Sequence, residues 1–380
     1  MHLSRRGAVV AAVVAAAATL CASVTTAVGG TVSTPPQHGF QCALDAAVQP
    51  PVPGAILDVS GPGTHFNGAS GRFASGGRNL RPTDTFRTAS LTKTFTAAVV
   101  LKLVEQHELR LDDRIGKYLD AGPVNRLSVV NGVSYGSRIT VRQLLNHTAG
   151  LYDYASDPRW QDDVLGHPHK TWAPRELVEW AMVNGTPYSR PGAGYHYSDT
   201  GYVLAGFIIE KVTGRPLAHA YRTLILDPLR MRDTYLEHWE KARGGPLSHP
   251  YWGTVDTRSF NPTFDTFGGG GLVSTSADLT TFMRGLFGGM VFRHPATLRT
   301  MLTTTPQSRG TYGLGIQTGT GAGGERFWFH NGAFGAFQMY SSTRRISITG
   351  TVNQAAPPHP LLQNAFSLAL GKPVPPCSAP

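Results

Sequence analysis

The stretch from Leu91 to Val104 constrains this chain more than any other. Leu91, Phe95, Ala97, Ala98, Val99, Val100, Leu101, Leu103 and Val104 make a helix that is apolar nearly all round. Such a helix has to be covered on every side. Ser90-Leu91-Thr92-Lys93 stand at its start. A hydroxyl and an amine three positions apart share one face of a helix, one turn from each other. Burial strips water from the amine, so Lys93 is either paired or used in chemistry. An amine beside a serine lowers the barrier to its deprotonation, the first need of covalent acyl transfer.

Residues 1–30 read as a signal peptide. Arg5 and Arg6 precede an apolar run, Ala8 to Leu20, that is short for a bilayer span, and cleavage is expected after Ala27. The arginine pair allows either the twin-arginine or the general secretory route. Leu20 before Cys21 is bulky for a lipoprotein cleavage site, and no second long apolar run follows. The mature chain is therefore expected to be secreted, extracellular and without a membrane span. Loss of the leader leaves Cys42 and Cys377, an even pair expected to form a disulfide. The formal net charge is +10, yet there is no dense Lys/Arg block and no interleaving of arginine with aromatic residues. That pattern fits an anionic cell envelope and argues against nucleic acid as a partner.

Gly54 to Ser60 and Thr64 to Ser70 read as paired strands across Gly61-Pro62-Gly63. After the Ser90 helix, a turn-rich region of short helices runs to about Phe264. It includes a helix capped by Thr140 and ending at Leu145, then Arg175 to Val183, Tyr202 to Val212 and Leu217 to Leu226. Beyond Gly268–Gly271 come a helix from Ala277 to Leu286 and four strands, Tyr312–Gln317, Arg326–Phe329, Ala333–Tyr340 and Arg345–Val352. Leu361 to Leu370 is the closing helix. The order predicts an α/β (α+β) fold: an antiparallel sheet built from both chain ends, flanked by helices, with an inserted helical lobe. The expected boundaries are 40–372 for the domain, with an α/β part at about 40–115 and 265–372. The helical lobe takes about 116–264, and 373–380 form a Pro-rich tail.

Three elements occur in order: Ser90-Leu91-Thr92-Lys93, Tyr197-Ser198-Asp199 and His330-Asn331-Gly332. Together with Leu144-Leu145-Asn146-His147-Thr148-Ala149-Gly150-Leu151 and Gly269-Gly270-Gly271-Leu272-Val273-Ser274-Thr275, they resemble the penicillin-recognising serine hydrolases. That family includes D-alanyl-D-alanine carboxypeptidases, class C β-lactamases, D-aminopeptidases and related esterases. The resemblance covers about residues 45 to 370.

It implies that Ser90 attacks the carbonyl, with its own N–H and that of Ala333 as oxyanion donors. Lys93 and Tyr197 would share proton handling: a nearby cation favours phenolate, burial favours the neutral amine, and either could be the base. His330 would orient substrate and supply charge, and Gly332 would let a ligand approach the backbone. Asp199 departs from the usual asparagine, because an ionised aspartate only accepts hydrogen bonds. Three outcomes are open: Asp199 stays protonated and still donates, it selects a substrate with a free amine, or the site is weakened. His147 is expected to make a structural hydrogen bond.

Other motifs carry less. Gly132-Val133-Ser134-Tyr135-Gly136 matches a nucleophile elbow but lacks the following helix, and reads as a surface hairpin. Gly268–Gly271 is not a phosphate loop, lacking a following Gly-Lys-Ser/Thr, and should pack near the site mouth. The histidines lack metal-ligand spacing, so neither metal nor cofactor is expected. The reading is a secreted, monomeric serine hydrolase resembling D-alanyl-D-alanine carboxypeptidase, acting on peptidyl or β-lactam substrates, cell-wall peptides among them. The alternatives are a class C-type β-lactamase or esterase, a D-aminopeptidase, or a weakly catalytic wall-binding member of the fold.

Overall fold

Strands from the two ends of the chain pair with each other. The computed structural model describes residues 36–321, 324–355, 359–372 and 374. The expected signal peptide and Cys377 lie outside the described residues. A six-stranded antiparallel sheet runs in the order Gln317–Thr320, Arg326–Asn331, Phe337–Ser341, Ile346–Thr351, Gly54–Gly61, Thr64–Gly71. Its central seam joins early and late sequence, with Ile56 opposite Thr351 and Ser60 opposite Ser347.

Alternation along Gly54–Gly61 sends side chains to two different cores. Ala55, Leu57 and Val59 meet Phe40, Leu44, Phe337, Ile348 and Leu361 beneath the terminal helices Pro36–Ala47 and His359–Ala369. Ile56 faces the larger core, which surrounds the helix Thr92–Glu105. On that second face the buried Asp58 accepts from Thr280 and Asn67, both at 2.7 Å. Every residue from Thr92 to Leu101 is buried, so the helix has no solvent face. Phe95 stacks on Phe282 of the helix Ser276–Phe287, ring centroids 3.7 Å apart.

The intervening region is helical, as the pattern predicts. Thr140 caps Val141–Leu145 in a capping box with Gln143. Asp199–Thr213 ends at Gly214, which takes the left-handed conformation with φ +61°. Leu217–Tyr221 continues through a π-helical turn, Arg222–Leu226. Ser134 sits on a surface hairpin, its strand Val133–Ser134 paired with Val129–Val130.

Three differences from the sequence pattern have identifiable causes. Helices at Pro36–Ala47, Pro158–Gly166 and Pro295–Leu302 were not expected, although proline opens each, where its missing N–H costs nothing. The strand expected over Tyr312–Gln317 begins only at Gln317. Gly315 takes φ +70° there, with backbone so close that a Cβ would lie 2.5 Å from the Lys93 carbonyl. The strand expected from Ala333 begins at Phe337, because Gly335 (φ +74°) closes a turn onto the Gly332 carbonyl at 3.0 Å.

Phe95→Ala is expected to destabilise the fold by about 3–5 kcal/mol, since a central cavity would be hemmed in on all sides. Urea unfolding measures it, and a loss below about 1 kcal/mol would show that the core collapses into the space.

Candidate active site

Ser90 is held by a small second sheet that the strand pattern did not reveal. Phe86–Arg87 pairs with Leu272–Ser274, and the Thr88 N–H donates to the Leu272 carbonyl at 2.9 Å. Ala89 takes φ +46°, an uncommon conformation for a residue with a side chain, and turns the chain into a 3₁₀ turn, Ala89–Leu91. The helix Thr92–Glu105 follows directly. The third motif closes on this turn from the opposite side. A Cβ on Gly332 would lie 2.2 Å from the Thr88 carbonyl, so glycine is required. Ala333 is exposed at the tip of the same turn.

Lys93 is fully buried behind the half-buried Ser90. Its Nζ donates to Ser90 Oγ at 2.9 Å, to Asp199 Oδ1 at 2.5 Å and to the Gly269 carbonyl at 2.8 Å. An ammonium has three N–H donors, and all three are used. Gly269 therefore belongs to the floor of the site rather than to its mouth. A Cβ there would lie 2.7 Å from Asp199 Oδ1.

Tyr197 lies beside Ser90, and its ring is 5.0 Å from Lys93 Nζ. Burial, and then the charge of Asp199, hold its hydroxyl well above the ordinary tyrosine range. The nearby cation was expected to favour phenolate, but desolvation outweighs it and the group is a neutral phenol. His147 packs on it with ring centroids 4.2 Å apart. The Ser198 N–H donates to His147 Nδ1 at 3.1 Å, which leaves the proton of the neutral ring on Nε2. Burial keeps His147 well below its ordinary value.

His330 is also neutral. Burial, and then the charge of Lys93, push it down to about 3. Nδ1 donates to the Asn331 carbonyl at 2.9 Å, and Nε2 accepts from the Tyr312 hydroxyl at 3.0 Å. The third motif thus contributes no positive charge in this geometry. Tyr312, Tyr195, Tyr197 and His147 form an aromatic wall beside it.

Two aspartates joined the site without warning from the sequence. Asp153 Oδ1 accepts the Asp199 N–H at 2.8 Å, and burial followed by the Asp199 charge raises Asp153 to about 7. The same causes in the same order raise Asp265 to about 7. Asp153 follows the Leu144–Leu151 motif by two residues and Asp265 precedes the glycine run by three. That adjacency was the available signal. Among the described residues no group of His, Cys, Asp and Glu is placed to hold a metal ion.

A buried lysine on a half-buried serine, a tyrosine beside them and a glycine turn closing from a strand are the groups that acyl transfer calls for. A family model described as Beta-lactamase matches residues 44–371. The chain belongs to the beta-lactamase family. Among its relatives in that family, penicillin-binding protein 4* of Bacillus subtilis is 34% identical over 160 residues, 41% of this chain and 32% of the relative. A putative D-alanyl-D-alanine carboxypeptidase of Escherichia coli is 27% identical over 256 residues, 60% of this chain and 57% of the relative. The chain thus spans only about a third to just over half of those curated relatives. A crystal structure of a D-stereospecific amidohydrolase from Streptomyces sp. superposes with a TM-score of 0.76 at 33% identity, covering 87% of this chain and 98% of that one. This beta-lactamase family member shares the fold of that amidohydrolase.

The neutral state of His330 has a consequence for stability. Its value is about 3 when folded against an ordinary 6.5, so the unfolded chain binds more protons between those limits. The contribution is fully present above pH 6.5 and is lost progressively as pH falls toward 3. Replacing His330 with glutamine is expected to cost stability at pH 7 and progressively less as pH falls to 4, read from urea midpoints. A cost that stays constant with pH would mean that the ring titrates as an exposed histidine does.

Proposed function

We propose that this chain is an exported serine acyl-hydrolase that cleaves amide bonds of D-amino acids, of the kind found in peptidoglycan peptides. The observation that carries this reading is the 2.9 Å contact between Lys93 Nζ and Ser90 Oγ at the start of a buried helix. Ser90 attacks the carbonyl carbon and forms an ester with it as the amine leaves. Water then hydrolyses the ester. The N–H groups of Ser90 and Ala333 receive the oxyanion, aided by the positive end of the helix. Tyr197, as a neutral phenol on Ser90, is suited to donating a hydrogen bond during collapse of the intermediate. His330 acts through Tyr312 by shaping the wall of the site, and Gly332 keeps the approach to the backbone open.

D-alanyl-D-alanine carboxypeptidase is the first form of this reading, supported by the printed name of the Escherichia coli relative. A second form, cleavage of D-amino-acid amides or of amino-terminal D-residues, is favoured by one observation. Among the described residues the cation bonded to Ser90 Oγ is Lys93, already paired with Asp199, which leaves a substrate carboxylate poorly served and a substrate amine well served. The Streptomyces neighbour's printed name agrees with this second form.

Mixing the protein with benzylpenicillin and following intact mass separates the possibilities. A lasting adduct on the Ser90 peptide is expected of a penicillin-binding peptidase, and fast turnover without adduct of a β-lactamase. Release of ammonia from D-alanine amide, with neither of those, indicates the amidase form. Ser90→Ala is expected to abolish adduct and turnover while leaving the circular dichroism spectrum intact. Labelling that persists in the variant would move the nucleophile elsewhere.

The proposal includes a bridge between Cys42 and Cys377. Cys42 lies on the helix Pro36–Ala47, and the tail that carries Cys377 follows the helix His359–Ala369, which shares a core with it. A chain lacking residues 1–30, unfolded without reductant, is then expected to show no free thiol. Two titratable thiols would exclude the bridge.

A further inference from the structure

Lys93 cannot take the serine proton in the arrangement described, because all three of its N–H groups already donate. Tyr197 cannot take it readily either, being held as a phenol by burial and by the Asp199 charge. A proton acceptor is still needed, and one carboxylate is in direct contact with the amine. Asp199 Oδ1 lies 2.5 Å from Lys93 Nζ, and the contact is buried. The backbone is cut to fit that carboxylate. A Cβ on Gly269 would lie 2.7 Å from Asp199 Oδ1, and one on Gly270 would lie 2.5 Å from the Asp265 carboxyl carbon.

We propose that Asp199 is the terminal proton acceptor of acylation, reached from Ser90 through Lys93, with Asp153 as the positioning residue that fixes it. This rests on Ser90 being the nucleophile. Lys93 passes one ammonium proton to Asp199 Oδ1. The neutral amine rotates about its Cε–Nζ bond, turns its lone pair to Ser90 Oγ and takes the hydroxyl proton as the Oγ–carbon bond forms. When the carbon–nitrogen bond breaks, the leaving amine takes a proton from Lys93, and Asp199 returns its proton to the lysine. The net change moves the serine proton to the leaving amine and regenerates the ion pair.

The surrounding charges make such a hand-over feasible. Asp199 meets Lys93 from the central helix, Asp153 and Tyr154 from the loop after Leu151, Asp265 from the segment before the glycine run, and Tyr197 from its own segment. The neutral rings of His147 and His330 face the lysine from two further elements. Burial and the Asp199 charge raise Asp153 and Asp265 to about 7, so these two neighbours keep protons near neutral pH. Asp153 holds the Asp199 N–H at 2.8 Å at the start of the helix Asp199–Thr213 and so fixes where that carboxylate sits.

The test uses a fluorophosphonate, which labels an activated serine whatever the natural substrate is. Its second-order labelling rate is read by intact mass across pH 5 to 9. Asp199→Asn keeps the shape and removes the acceptor, and is expected to slow labelling by about 10²-fold or more and to abolish the acid limb of the profile. Labelling at the wild-type rate, or faster, would overturn the proposal, because a carboxylate that merely restrains the amine frees it when neutralised. Asp265→Asn provides a second reading should Asp199→Asn fail to fold. Removing one negative neighbour eases ionisation of the others, so the acid limb is expected to move to lower pH. An unmoved limb would count against the proposal. Wild-type protein that is never labelled would instead overturn the assignment of Ser90, and Ser90→Ala defines that background.

Discussion

A lysine with no solvent exposure is the constraint around which this molecule is arranged. An unpaired buried ammonium is among the most costly groups a protein can hold, and removing one partner of such a pair typically costs about 3–5 kcal/mol. Lys93 avoids that cost with acceptors from three parts of the chain: Ser90 one turn before it, Asp199 at a helix start and Gly269 in the glycine run. Those segments come together only if the small sheet of Phe86–Arg87 and Leu272–Ser274 forms and the helical region docks. The site is therefore assembled by the same contacts that complete the core. Its glycines let backbone approach where a Cβ would collide, as at Gly269 against Asp199 Oδ1.

The neutral groups around this ion pair are as informative as the charged ones. His147 and His330 lie within the field of Lys93, and both are held uncharged by burial and by that field. Their hydrogen bonds assign opposite tautomers. His147 accepts at Nδ1 from Ser198 N–H, whereas His330 donates from Nδ1 to the Asn331 carbonyl and accepts at Nε2 from Tyr312. His147 is thus fixed by one polar contact and His330 by two. The result is one cation facing three carboxyl groups, with a wall of phenols and imidazoles between them and solvent.

Much of this was legible in the sequence, for a definite reason in each case. The all-round apolar run from Leu91 to Val104 could only be a covered helix, and it is. Thr140 with Gln143 three residues on, and Gly214 after a long apolar stretch, are local signals that need no tertiary context. The spacing of Ser90 and Lys93 follows from helix geometry alone. What escaped is what depends on distant contacts. Tyr312 looked like a strand residue because Gly313 and Gly315 do not advertise the close approach of the Met301 and Lys93 backbones respectively. Strands of two or three residues, such as Phe86–Arg87 and Leu272–Ser274, carry no periodicity. Asp153 and Asp265 are ordinary loop aspartates until the fold buries them together, and no local pattern encodes burial.

Asp199 sets the charge balance of its surroundings. A neutral amide in its place would leave the buried Lys93 ammonium without a counter-charge, whereas the carboxylate supplies one. The ammonium at 2.5 Å absorbs one negative charge. Asp153 and Asp265 would then each add another, and burial with mutual repulsion raises both to about 7 instead. The site thereby stays near neutrality as a set, although no single group does. A substrate carboxylate entering beside Ser90 would break that balance, since Lys93 is already paired with Asp199. A substrate ammonium would improve it, and would do so most strongly above neutral pH, where the flanking carboxyls ionise. In the proposed reaction the same aspartate that offers a place for the serine proton would thus bias which end of a peptide the site receives.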